Sequence, residues 1–160
     1  HLAVQYAKAM SMHVAAIDIA DDKLELAKKL GADLTVNALE EDPGSYLKKE
    51  TGGMHGALVT AVAPQAFSQA LSTLRRKGTL ALNGLPPGSF DLDIFNAVLN
   101  RITIRGSIVG TRKDLQESID FATEGKVKAS VHAAELDSVN SVLDDMRANK
   151  IEGRMVLNVA

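Results

Sequence analysis

Cysteine and tryptophan are absent from the 160 residues, and aromatic side chains make up only 4% of them. Without a thiol this stretch holds no disulfide, no thiolate nucleophile and no cysteine-bound zinc. The same lack suits a reducing compartment, so a cytoplasmic location is the expectation. Charge of one sign is also missing: 18 basic residues face 20 acidic ones, for a net charge of -2. No electrostatic footprint for nucleic acid or for an anionic membrane follows from that balance. No stretch approaches the roughly 20 continuous apolar residues of a membrane span. Lys8 within the first helical pattern argues against a signal peptide. Neither a GxSxG elbow nor a GKS or GKT phosphate loop is present. His1, His13, His55 and His132 have neither the spacing nor the acid partners of a metal site or a triad. No catalytic and no metal-ligating residue is therefore expected here.

One further absence is more informative. The run "HVAAIDIADDK" ends a short apolar stretch on Asp18 and passes at once into a helix start. An acid at the carboxyl end of a buried strand is what a dinucleotide-binding unit places on the ribose hydroxyls, roughly 20 residues after a glycine-rich turn. Counting back that far from Asp18 runs past His1, so the sequence is expected to open within a fold, just beyond the turn that cradles a pyrophosphate.

What is there alternates. Leu2, Tyr6, Ala9 and Met10 share a helical face, and the apolar run from Val14 to Ile17 follows. Asp22 and Glu25 read as a capping box for a second helix that Gly31 stops. After a short strand near Leu34 to Val36, "EDPGSYLKKETGG" offers a proline for a first helical turn and glycines for its end. "GALVTAV" reads as a buried strand. Pro64 opens a helix whose inward face is Phe67, Leu71 and Leu74, with Gly78 ending it, and Arg75, Arg76 and Lys77 then suit its negative end. "TLALNGLPPG" supplies a strand and a turn, a short helix lies near Phe95 to Leu99, and "ITIRGSIVG" is a further strand. Unbroken apolar strands alternating with helices predict an α/β fold with an open, doubly wound parallel sheet covered on both faces. Past Gly110 two helices and two short strands, "KASVH" and "RMVLNV", make too small a core to stand alone.

Asp18 is the strongest binding candidate, because its carboxylate accepts both ribose hydroxyl hydrogens and repels a 2'-phosphate, which favours NAD over NADP. The plainer reading is an extra cap for the next helix. Lys23 reaches the same ribose or is a solvated first-turn lysine. Residues 83–88, "NGLPPG", and 60–64, "TAVAP", lie where strands end, the place at which open α/β sheets bind ligands. Each is also an ordinary turn. "GSIVGTRKDL" carries the capping pair Thr111 and Asp114, and Arg154 alone reads as a surface arginine.

In order along the chain, "HLAVQYAKAM", "VAAIDIADDKLELAKKLGAD", "GGMHGALVTAVAP", "GTLALNGLPPG", "IRGSIVGTRKDLQE" and "EGRMVL" resemble the carboxyl half of a bacterial zinc-dependent alcohol dehydrogenase of the medium-chain dehydrogenase family. The resemblance covers nearly the whole chain, and "GSIVGTRKDLQE" with "NGLPPG" favours the tetrameric, ethanol- and propanol-preferring branch. It implies a Rossmann sheet lacking its first strand and glycine-rich turn over residues 1–108. Residues 109–160 would be a segment returning to the GroES-like catalytic domain. By resemblance Asp18 and Lys23 meet the cofactor ribose. Ala61 and Val62 line the cofactor, and Asn83, Gly84, Leu85, Ser107, Ile108 and Val109 hold the nicotinamide carboxamide with their backbone. Arg154 reaches the phosphates. The implied cofactors are NAD and zinc, with every zinc ligand in the amino-terminal part. The implied partners are a small alcohol or aldehyde and further copies of the chain, with "ITIRG" as an edge strand that pairs with a partner subunit. A noncatalytic NAD-sensing module and a methyltransferase use a similar ribose acid. Metal ligands upstream discriminate the enzyme from the module, and the resemblance through Arg154 stands against the methyltransferase.

Overall fold

The structure, a computed structural model, describes residues 1–159. It is an α/β chain whose elements alternate along most of its length, divided into two compact units. One comprises residues 1–35 and 115–159, the other residues 36–114.

In the first unit helix α1 (Leu2–Ala9) leads to strand β1 (Ala15–Asp18) and helix α2 (Asp21–Lys29). α2 begins two residues earlier than a capping box with Asp22 as N-cap requires. Its N-cap is Ala20, with no side-chain bond, and Asp22 lies inside the first turn. The carboxylate that serves this bend is Asp18, whose Oδ1 accepts the N–H groups of Ile19 at 2.8 Å and Ala20 at 3.2 Å. The buried face of α2 is Leu24 and Ala27. Lys8 and Asp33 form a two-pronged ion pair, both distances 2.8 Å, while Asp33 also accepts the Val14 N–H at 2.7 Å. Strand β2 (Leu34–Asn37) pairs with β1.

The later part of this unit holds α6 (Arg112–Thr123), from Leu115 onward, then β6 (Val131–Glu135), a 3-10 turn over Leu136–Ser138, α7 (Val139–Arg147) and β7 (Arg154–Asn158). β6 and β7 pair in parallel. β6 starts later than "KASVH" implies, with Lys128 held instead by Gln5: its N–H donates to Gln5 Oε1 at 2.9 Å, and Gln5 Nε2 donates to its carbonyl at 2.9 Å. Tyr6 bonds the Ser118 hydroxyl at 2.5 Å and stacks edge-on against Phe121 with centroids 5.5 Å apart. These contacts tie residues more than 100 positions apart into one unit.

The second unit carries α3 (Pro43–Thr51), β3 (Met54–Val59), α4 (Pro64–Ser72), β4 (Leu74–Leu82), α5 (Ile94–Asn100) and β5 (Thr103–Gly106). α3 has the anticipated ends: Asp42 accepts the Ser45 N–H at 2.8 Å, Pro43 opens the first turn, and Gly52 closes it at φ 75°. The strands form one parallel sheet in the order β3-β4-β5. Its core is Val59, Phe67, Ala70, Leu74 and Leu80, the last fully buried.

One expectation fails in this unit. α4 ends at Ser72, capped by buried Thr73, whose hydroxyl donates to the Ala70 carbonyl at 2.7 Å. Leu74 already pairs with Met54, so Arg75, Arg76 and Lys77 belong to an irregularity at the start of β4, where Lys77 takes φ 63°. Hydrogen bonding to β3 outweighs continuation of the helix. The parallel α/β sheet is as anticipated, and within this unit Leu58 is 52% exposed and β5 is exposed throughout. α3 and α4 pack together beside β3 and β4, and α5 packs against β4.

Candidate cofactor cleft

In the first unit the expected ribose acid stands at the last position of β1. Both of its recorded bonds fall on Oδ1, so among the described residues Oδ2 is left for a ligand. Lys23, in the first turn of α2, donates from Nζ to the Ile151 carbonyl and lies 3.9 Å from Asp22. Its side chain is 16% exposed. Ile151 is in the segment leading to β7, whose first residue is Arg154. There the Arg154 main-chain N–H donates to the Ser130 carbonyl at 2.8 Å, and among the described residues its guanidinium bonds the Gly153 carbonyl alone, at 3.1 Å.

His1 was missed by sequence reasoning; its Nε2 is buried without a hydrogen-bond partner.

The second unit has strand ends of its own to consider. Asn83 and Gly84 both donate their N–H groups to the Val59 carbonyl, at 3.1 and 2.8 Å. That clamps the end of β4 against the end of β3 so tightly that a Cβ on Gly84 would lie 2.1 Å from the Ala61 carbonyl oxygen. Ser107 donates to Leu82 at 2.9 Å and carries the chain past β5. The strand that "ITIRGSIVG" predicts stops at Gly106, because Val109 turns to φ 50° and Gly110 to φ 144°. A β-branched residue at positive φ is strained, and such strain concentrates at functional sites.

A cleft of about 390 Å³ lies at these carboxyl ends. Of the expected residues it brings together Gly84, Leu85, Ser107 and Ile108; Ala61, Val62, Asn83 and Val109 are outside its lining. Phe67 and Phe90, with ring centroids 5.6 Å apart, supply aromatic wall. Phe90 had a signal in the sequence, an aromatic residue directly after a proline- and glycine-rich turn.

Residues 1–124 match the model of a family described as zinc-binding dehydrogenase. The chain belongs to the zinc-binding dehydrogenase family. It is 65% identical to an alcohol dehydrogenase of Moraxella sp. (strain TAE123) over 158 residues, and 57% identical to one of Rhizobium meliloti over 159 residues; each match covers 99% of this chain and 47% of the relative. The alcohol dehydrogenase of the archaeon Aeropyrum pernix superposes with a TM-score of 0.91 at 31% identity, over 98% of this chain and 46% of that one. The chain thus spans about half the length of the curated relatives it matches, as the resemblance to half of such an enzyme requires.

The family description names zinc, and the residues present do not fit it. The chain has no cysteine, and among the described residues no three His, Asp or Glu side chains gather to hold a metal ion. Each unit by itself offers different chemistry: in the first, an open carboxylate oxygen on Asp18 can accept hydroxyl hydrogens and the Arg154 guanidinium can donate to an anion; in the second, an aromatic-walled cleft at strand ends can take a ring.

Proposed function

We propose that this chain is the cofactor-binding part of an alcohol dehydrogenase that transfers hydride between a primary alcohol of ethanol or propanol size and NAD, giving the aldehyde. The observation that carries the reading is Asp18: it ends β1 with one oxygen satisfied by backbone and, among the described residues, the other open. The family membership and the alcohol dehydrogenase relatives support the reaction class. When bound, NAD supplies the hydride acceptor.

The chain's own residues position it. Asp18 accepts the ribose hydroxyl hydrogens and repels a 2'-phosphate, and the remaining N–H bonds of Lys23 assist at the ribose. Arg154 pairs with the phosphates. Ala61 and Val62 border the cofactor. Main-chain groups of Asn83, Gly84 and Leu85, and of Ser107, Ile108 and Val109, hold the carboxamide, with Gly84 allowing the close approach. Zinc in the whole enzyme is held by residues outside these 160. Residues 1–108 act as the NAD-binding domain and 109–160 as the segment that joins the catalytic domain. The location is the cytoplasm, where an NAD-linked enzyme meets its cofactor, and the assembly is a homo-oligomer, a tetramer by resemblance.

The test is steady-state kinetics of the full-length enzyme carrying Asp18→Ala. Loss of a charged acceptor is worth about 1.5–3 kcal/mol, so KM for NAD should rise about 10- to 100-fold while relative use of NADP improves. Unchanged KM values for both cofactors overturn the assignment of Asp18.

A further inference from the structure

The second unit has another cavity, of about 340 Å³, and it lies at the opposite end of the same sheet. Its lining includes Gly52, Leu74 and Ile102, which precede or start β3, β4 and β5, whereas the cofactor cleft includes Leu82 and Gly106, which end β4 and β5. The two are separate sites.

Charge in this cavity is unbalanced. Lys48, Arg75 and Arg76 line it, against a single acid, Asp93. Asp93 is engaged, because its Oδ1 accepts the Asn96 N–H at 3.1 Å to start α5. Arg75 meets Nε2 of His55 at 2.9 Å from one guanidinium nitrogen. A guanidinium only donates, so the imidazole nitrogen accepts and brings no negative charge. The Arg76 side chain makes no hydrogen bond or ion pair with any described residue. The irregularity that opens β4, with Lys77 at φ 63°, is what sets two consecutive arginines at one cavity. The rest of the lining is mixed: Leu71, Leu74, Leu92, Ala97 and Ile102 give an apolar side, and the amides of Asn96 and Asn100 stand beside the cations.

We propose that this cavity binds a small amphipathic carboxylate, its head on Arg75 and Arg76 and its hydrocarbon body against Leu71, Leu92 and Ile102. Concave cationic walls concentrate anions. The guanidinium fork matches a carboxylate with two parallel bonds. A bare inorganic anion would leave the apolar walls wet, and the volume is at the small end of ligand pockets, so a short chain rather than a nucleotide is the fitting occupant.

The probe is sodium hexanoate, titrated by calorimetry into the full-length protein saturated with NAD, with acetate and inorganic phosphate as comparisons. Hexanoate is expected to bind saturably and about tenfold or more tighter than acetate, through the added methylenes. Arg75→Gln with Arg76→Gln is expected to weaken it about tenfold or more, with Tm and KM for NAD unchanged, since both side chains are exposed and outside the cofactor cleft. Three outcomes overturn the proposal: no saturable hexanoate binding, full affinity in the double variant, or acetate and phosphate binding as tightly as hexanoate.

Discussion

Gly84 is fixed by its neighbours on both sides: its N–H is held by Val59 at 2.8 Å, and a Cβ would lie 2.1 Å from the Ala61 carbonyl. Since the atom it would strike is backbone, nothing can rotate away, and Gly84→Ala must part the two strand ends. Overpacking of this kind costs about 1–3 kcal/mol. A fall in Tm together with a raised KM for NAD is the expected outcome; a Tm within a degree of the parent would show that the strand ends part freely. Asp33 is a different case, a residue whose charge holds the fold. Its carboxyl is kept below the ordinary value of 3.8 first by the Lys8 side chain and then by the Val14 N–H. A carboxylate whose pKa is lowered on folding stabilises the native state above its unfolded value, near 3.9, and that contribution disappears as pH falls through the lower folded value. Asp42 and Asp114 are lowered in the same direction, by the N–H groups of Ser45 and Thr111. Melting curves taken from neutral pH down through the carboxylate range should therefore show Tm dropping toward the acid end. Asp33→Asn should lower Tm at neutral pH and flatten the acid limb, and an unchanged slope would remove Lys8–Asp33 from the account.

Among elements, the pairing of α3 with α4 depends on Gly44. A Cβ there would come within 2.3 Å of the Ser72 hydroxyl oxygen and 2.9 Å of its Cβ. Gly44→Ala should destabilise by about 1–3 kcal/mol, and Ser72→Gly in the same chain should recover part of that loss, because it removes both offending atoms. Strict additivity of the two substitutions by urea unfolding would refute the contact. The elements differ in how legible they are from sequence. α3 is readable because its signals are local: Asp42 capping, Pro43 in the first turn, Gly52 in left-handed conformation. The Thr111–Asp114 capping pair is readable for the same reason, and it forms, with Asp114 accepting from both the N–H and the hydroxyl of Thr111. The end of α4 is not readable, since Arg75 and Arg76 suit a helix terminus locally and only the Met54–Leu74 pairing, 20 positions apart, draws them into a strand. Asp22 with Glu25 fails likewise: a capping box competes with Asp18, which takes the bend through Ile19 and Ala20. In the candidate site, Asp18 and the strand-end turns follow from position along apolar runs, whereas Arg154 stands 136 residues from Asp18 and nothing local marks it.

At the scale of the whole molecule, apolar surface is left uncovered where a strand edge is also free. β5 is at the margin of the three-stranded sheet and exposed along its length, with Ile104 38% exposed. α5, which leads into it, presents Phe95 at 74% and Val98 at 69%. An open edge is a template for another strand, and a row of large apolar side chains beside it adds the burial that makes such pairing lasting. A second copy offers the same edge and the same helix, and a twofold axis satisfies both at once, since each face meets its own equivalent. This makes β5 the expected contact of the proposed homo-oligomer. Phe95→Asp puts an uncompensated carboxylate into that contact, and in a twofold interface each assembly receives it twice. Sedimentation of the full-length variant should therefore show a shift to smaller species at concentrations where the parent is assembled. Ser89→Asp, at the cofactor cleft and away from α5, serves as the control for added charge and should leave the assembly intact. If the Phe95 variant sediments as the parent does, the exposed face of α5 is covered by something other than a second copy, and the edge of β5 has to find its partner within the longer polypeptide.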